Sequence, residues 1–272
     1  MRLAEHEQER RDGMEIVALD IGNSRTAAAW VANGKAVCAG CVDGYAKGAV
    51  RTLLREVKKQ GFAGKGPDAV AVCSVVPAQE AKVASVAAEV FAGVPQVRTG
   101  WGAEMGLAVD LAAPQQTGAD RFADAVAAST LYKGAAVIVC DFGTASTFNL
   151  VVPGRGFCGG AIAPGYGLWL ETLGRRAAQL PVLDGAENGS PDIGRDTAGA
   201  LRAGRAWGFR GMVTEIVWQL TKRCGKRNPV VMATGGWADA VAAGAGFEMD
   251  VVPELTLVGA ALIAERTLKK RR

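Results

Sequence analysis

Residues 20–26 read DIGNSRT and residues 141–147 read DFGTAST, one turn pattern written twice, 121 positions apart. Each copy follows a short apolar run (EIVAL, then AAVIVC) and leads into another (AAAWVAN, then FNLVVPG). Such runs, bounded by glycine, have the length and composition of buried strands. The glycine lets the chain bend sharply and brings backbone N–H groups close to a ligand. The Asn, Ser and Thr that follow add donors suited to phosphate oxygens. The aspartate, when ionised, only accepts, so it tolerates a phosphate only with a cation between them. A single Asp-x-Gly after a strand is an ordinary β-turn. Two copies at equivalent places point instead to phosphate binding, and facing each other across a cleft they would cage a metal–nucleotide triphosphate. Neither copy is a P-loop, and no GxGxxG follows a strand, which sets aside Walker and Rossmann nucleotide sites.

Outward from these turns the two halves share one grammar. In the first, EIVALDIG, RTAAAWVAN and KAVCAGCV read as three strands, with Asn33-Gly34 as a hairpin turn between the last two. AKGAVRTLLREVKKQG has helical spacing, DAVAVCSVV is a strand stopped by Pro77, AQEAKVASVAAEVF is helical and PQVRTGWG is extended. After the helical TGADRFADAVAASTLYKG, the second half repeats the order: strands AAVIVCDFG, ASTFNLVV and GFCGGAIAP, then helical WLETLGRRAAQL, ending at Pro181. A longer helical region over 196–225 is interrupted or closely packed at its glycines. The strand NPVVMATGG, the short helix WADAVAAG, extended FEMDVVP and a final helix LTLVGAALIAERTLKK complete it. The expectation is a duplicated α/β fold: a charged leader over 1–13, expected to be disordered, one domain over 14–115 and a second over 116–272.

Composition narrows the function. The 272 residues are 49% hydrophobic and 21% charged, as in a globular protein with a substantial core. The net charge of +4 is carried by the terminal KKRR (Lys269, Lys270, Arg271, Arg272), a basic helix end without interleaved aromatics, so no nucleic-acid partner is expected. The six cysteines form no framework; Cys38 and Cys41 make a lone CxxC without further zinc ligands nearby, and reduced core cysteines are expected. The leader is too charged for a signal peptide, and no uncharged apolar run reaches a membrane span. A cytoplasmic protein without membrane contact is expected.

Two further stretches carry chemistry. GADR at 118–121 sets Asp120 beside Arg121 at the expected start of a helix. Asp120 could accept a proton from a substrate hydroxyl and Arg121 could hold an anion; a surface charge pair at a helix start is the plainer alternative. TGG at 234–236, after an apolar run, could admit a flat base or sugar. The single histidine, His6, lies in the leader, which argues against histidine-based catalysis.

Taken in order, DIGNSRT, SVVP (74–77), GADRFADAVAA (118–128), DFGTAST, GGAIAPGYGLWLETLGRRAAQLP (159–181), DTAGALRAGRAWGFRGMV (196–213), TGG and LTLVGAALIAER (255–266) resemble the type III pantothenate kinases. These belong to the acetate and sugar kinase/heat-shock/actin superfamily. The resemblance runs from about residue 15 to 267. It implies a duplicated actin-like (ribonuclease H-like) fold, two similar domains with a cleft between them. It also implies transfer of the ATP γ-phosphate to the 4′-hydroxyl of pantothenate, the first step of coenzyme A biosynthesis.

By that resemblance Asp120 is the proton acceptor. Gly118, Ala119, Asp120 and Arg121 line the pantothenate site with Thr197. Asp20, Ile21, Gly22, Asn23, Ser24, Arg25, Thr26 and Ala27 wrap the ATP phosphates, with Asp20 acting on Mg²⁺ through water. Asp141 holds a monovalent cation (K⁺ or NH₄⁺), Thr144 touches ATP, and the molecule is a homodimer. The chain departs from the family at Leu111, where a substrate-contacting tyrosine is expected, and at Asn149, where many members carry aspartate. Beside the active kinase stand two other readings on the same fold: a non-catalytic or regulatory protein, and a kinase for another small alcohol.

Overall fold

The strand that ends in the first turn, β1 (Glu15–Ile21), is buried on both faces, which is why its sequence is an apolar run without alternation. It pairs antiparallel with β2 (Arg25–Ala32), which pairs antiparallel with β3 (Lys35–Asp43). Asn33 and Gly34 both take positive φ, 51° and 69°, as the two-residue hairpin requires. On its other edge β1 runs parallel to β4 (Ala69–Ser74), and β4 to β5 (Gln96–Arg98), giving the order β3-β2-β1-β4-β5. Helices α1 (Lys47–Gly61) and α2 (Pro77–Val90) cover the face formed by Val17, Leu19 and Ile21. Pro77 ends the strand segment and also opens α2, where its missing N–H is not needed. These observations come from a computed structural model that describes residues 13–61, 66–177, 179–183, 192–225 and 228–271. Apart from Gly13, the leader expected over 1–13 lies outside the described residues.

A second sheet repeats the topology. β6 (Val137–Phe142), β7 (Ala145–Val152) and β8 (Gly156–Pro164) form the antiparallel set, and β9 (Val230–Thr234) and β10 (Asp250–Val251) add in parallel, in the order β10-β9-β6-β7-β8. Ile138, Cys140 and Phe142 face a core built with α5 (Thr197–Thr221) and α6 (Ala238–Gly244), and Tyr166 of α4 (Tyr166–Arg176) joins it. The α4 segment stops at Arg176, short of Pro181. α5 runs uninterrupted through its glycines, opened by Asp196, whose side chain accepts from the Gly199 N–H at 2.6 Å.

The chain divides into two compact units, Met1–Leu131 with Glu254–Arg272, and Tyr132–Pro253. The boundary expected at 115/116 is therefore displaced. α3 (Ala119–Leu131) and the terminal helix α7 (Leu255–Arg271) both belong with the first sheet. α7 packs on β1, β2 and β4, and α3 packs along α7. Thr256 donates to Asp124 at 2.7 Å, Arg266 donates to Thr130 at 3.1 Å, and the Thr267 hydroxyl accepts from the Glu104 N–H at 3.1 Å. Such non-local packing leaves no mark in local composition. Among the described residues no helix is long and apolar enough to cross a membrane.

The α3–α7 crossing is set by Gly259: a Cβ there would lie 1.9 Å from the Ala123 carbonyl oxygen and 2.4 Å from its carbon. Both obstacles are helix backbone, which cannot step aside. Gly259→Ala is expected to cost about 3 kcal/mol or more, read as a lower urea midpoint with an unchanged m-value.

Candidate active site

The first turn leaves the sheet where β1 ends. Asp20 pairs with Ala27 across the hairpin, and the Gly22 N–H donates to the Arg25 carbonyl at 3.0 Å, closing a tight loop with Asn23 and Ser24 exposed at its tip. Arg25 and Ala27 are half-buried, and Ile21 and Thr26 are buried. Thr26 Oγ1 donates to the Gly44 carbonyl at 2.8 Å. Val17, Leu19 and Ile21 face α1 and α2, so Asp20 projects from the opposite face. Across the parallel pairing Asp20 stands beside Cys73, whose thiol is pushed well up, first by burial and then by Asp20 and Asp120. Cys140, next to Asp141, is also pushed up, first by burial and then by Asp141. Both thiols are held protonated and unreactive.

GADR reaches the same end of this sheet. The Val75 N–H donates to the Ile21 carbonyl at 3.2 Å, and Val75 lies against Gly118, where a Cβ would sit 3.3 Å from its Cγ1. Asp120 is in the first turn of α3, and its Oδ1 accepts from the Arg121 N–H at 2.7 Å. The same oxygen would lie 2.4 Å from a Cβ at Gly118, so the glycine leaves the carboxylate its room. Burial raises the Asp120 pKa; the Arg121 N–H and then the Arg121 charge oppose the shift only in part. Burial likewise lowers Arg121, opposed by Asp120 and then Asp124. Asp124, one helical turn further and fully buried, accepts from Thr256. Sequence reasoning missed it, because its partner is 132 residues away. Leu111 lies half-buried between β5 and α3.

The second turn is built the same way and hemmed more tightly. Asp141 pairs with Thr147, the Gly143 N–H donates to the Ala145 carbonyl at 3.1 Å, and Thr144 is exposed at the tip. A Cβ at Gly235 (φ 91°) would meet Asp141 Oδ1 at 2.3 Å and the Phe142 carbonyl at 2.7 Å; one at Gly165 would meet the Thr144 carbonyl oxygen at 2.2 Å. Of the TGG stretch, Gly235 has no room for a side chain, because Asp141 and Phe142 lie where its Cβ would go. An apolar hollow of about 270 Å³, lined by Tyr166, Trp207, Phe209, Arg210 and Val241, lies elsewhere in this unit, between α5 and α6. Asn149 is fully buried two residues beyond Thr147 and donates to its Oγ1 at 3.3 Å. The neutral amide avoids burying the charge that an aspartate would bring to this position. Thr197, exposed, is the first residue of α5.

Tyr45, also missed, sends its hydroxyl to the Gly22 and Asn23 carbonyls, at 2.7 and 2.6 Å. One sequence signal for it exists: Gly44-Tyr45 and Gly165-Tyr166 repeat at the 121-residue spacing of the turns.

The residues present suit a magnesium ion carried in by a nucleotide. Among the described residues no cluster of three or more His, Cys, Asp or Glu could hold a metal alone. Mg²⁺ bound with phosphates needs only one or two carboxylates and keeps several waters. Asp20, at the base of the turn whose tip residues Asn23 and Ser24 are exposed, would supply one.

A raised Asp120 makes stability fall with pH. The folded chain holds this proton more tightly than the ordinary aspartate value of 3.8, so stability is lost as pH climbs from there through the raised value. Asp120→Asn removes the loss. The variant is expected to melt above the parent at pH 7, the gap narrowing towards pH 4, as read by thermal melts across that range.

Comparison with known proteins gives the family. Residues 16–219 match the family model described as type III pantothenate kinase. A type III pantothenate kinase of Streptomyces avermitilis is 37% identical over 209 residues, covering 76% of this chain and 78% of the relative. That of Dehalococcoides mccartyi is 33% identical over 259 residues, covering 92% and 96%, and that of Akkermansia muciniphila 40% over 216, covering 79% and 85%. Among solved structures, a ROK hexokinase from Thermus thermophilus superposes with a TM-score of 0.56 at 16% identity, over 94% of this chain and all of the other. The activator of 2-hydroxyisocaproyl-CoA dehydratase from Clostridium difficile gives 0.55 at 17% identity, over 95% and 97%. These two establish the fold, the duplicated actin-like architecture. The chain belongs to the type III pantothenate kinase family.

Proposed function

We propose that this protein transfers the γ-phosphoryl group of ATP to the 4′-hydroxyl of pantothenate, the entry step of coenzyme A biosynthesis, with Asp120 as proton acceptor. The observation that carries this reading is that Asp120, with proton affinity raised by burial, stands at the sheet end where the Asp20 turn leaves β1. As the substrate oxygen bonds to phosphorus and ADP departs, Asp120 takes the hydroxyl proton. Phosphoryl transfer asks chiefly for positioning and charge neutralisation. The turn from Asp20 to Ala27, and Thr144, position the phosphates; Gly118, Ala119, Arg121, Leu111 and Thr197 line the acceptor site. Asp20 would hold Mg²⁺ through water, Asp141 would hold K⁺ or NH₄⁺, and the cations would supply charge neutralisation at the phosphates. The aromatic walls of the hollow between α5 and α6 suit the base of the nucleotide.

The reading includes a homodimer in the cytoplasm. Its support is a set of exposed large apolar side chains in the second unit, Ile162, Trp207 and Trp218 among them. A kinase for a different small alcohol is the second reading, favoured by Leu111, which packs but offers no hydrogen bond.

ADP release coupled to NADH oxidation, with MgATP, pantothenate and potassium or ammonium, tests the assignment. Turnover is expected to require pantothenate and to fall about 10²–10⁴-fold in Asp120→Asn. Turnover with other primary alcohols but not with pantothenate would select the second reading. Because the raised carboxyl must be ionised to act, the acid limb of kcat/KM is expected above the ordinary aspartate value of 3.8. It should vanish from the residual activity of the variant.

A further inference from the structure

The repeated Gly-Tyr pairs do different work in the two units. In both, the glycine amide donates to a carbonyl of the Asp-x-Gly turn, Gly44 to Ser24 at 2.9 Å and Gly165 to Thr144 at 3.2 Å. The tyrosines then part. Tyr166 turns into an aromatic cluster, with its ring 5.0 Å from Phe209 and 5.2 Å from Trp237, and with the Arg205 guanidinium 4.3 Å over its face. Tyr45 turns back on the first turn, its hydroxyl shared between the Gly22 and Asn23 carbonyls.

Those two carbonyls belong to consecutive peptide units, and the described chain contains no cis peptide. In a trans peptide the C=O and the N–H of the same unit point in opposite directions. Drawing both oxygens towards one hydroxyl therefore turns the N–H groups of Asn23 and Ser24 to the far side together. Successive N–H groups aimed one way make an anion-binding concavity. A second bond steadies the arm that carries the tyrosine, because Thr26 holds the Gly44 carbonyl at 2.8 Å.

We propose that Tyr45 is a positioning residue for nucleotide binding: its hydroxyl holds the Gly22–Ser24 backbone in the orientation that presents the Asn23 and Ser24 amides to a phosphate of ATP. It touches no reacting atom and acts through the turn. The inference rests on the reading of this turn as the ATP phosphate site.

Tyr45→Phe keeps the ring and removes only the hydroxyl. One lost hydrogen bond of ordinary strength corresponds to about a five- to tenfold change in binding. The KM for MgATP should rise by about that factor, with kcat and the pantothenate KM nearly unchanged. The dissociation constant of a non-hydrolysable ATP analogue, measured by calorimetry on the full chain, should rise in parallel. A variant that melts earlier yet keeps the parent's ATP KM and analogue affinity would reduce Tyr45 to a structural contact and overturn the proposal. If the parent binds the analogue in a Tyr45-dependent way but leaves pantothenate unphosphorylated, the positioning role stands and the pantothenate assignment falls. A parent that binds no nucleotide overturns both.

Discussion

The backbones of α3 and α7 touch at Ala123 and Gly259, and the placement of the proposed catalytic carboxylate depends on that contact. With no side chain between them, the terminal helix can lie on the first sheet and also carry α3. Hydrogen bonds from Thr256 to Asp124 and from Arg266 to Thr130 fix the pair along its length. Asp120 sits in the first turn of the helix so held, next to the end of β1 and β4. The last 17-residue helix of the chain thus locates a group near its middle.

Burial at this place works against stability and, on the role proposed for Asp120, for chemistry. A carboxylate in water is a weak base, and one taken partly out of water binds a proton more tightly. Asp120 is raised in this way while the adjacent Arg121 amide keeps it oriented. The two Asp-x-Gly turns show the same economy of atoms. Gly118, Gly165 and Gly235 stand where any side chain would strike Asp120, the Thr144 carbonyl or Asp141. Glycine thus lets backbone and carboxylates crowd one another, while Asn23 and Ser24 at one tip and Thr144 at the other stay exposed.

Much of the fold was legible because its signals are local. The paired turns, the Asn33-Gly34 hairpin and the order of strands and helices in each half could be read from runs of a few residues. The domain boundary could not, since α3 and α7 join the first sheet through contacts between residues more than a hundred positions apart. The crowding at Gly235 was hidden for a similar reason: only the pairing of β9 with β6 brings Asp141 against it. Asp124 and Tyr45 act through tertiary partners and carry no motif of their own. The duplication did hold a clue to Tyr45, in a Gly-Tyr pair repeated in step with the turns.

Phosphoryl transfer to a primary alcohol is tested most directly by identifying the product. Phosphorus NMR of the protein incubated with MgATP, pantothenate and potassium should show a phosphomonoester resonance split by the adjacent methylene protons, formed mole for mole with ADP. ADP accompanied only by free phosphate, or ATP and pantothenate both recovered unchanged, would contradict it.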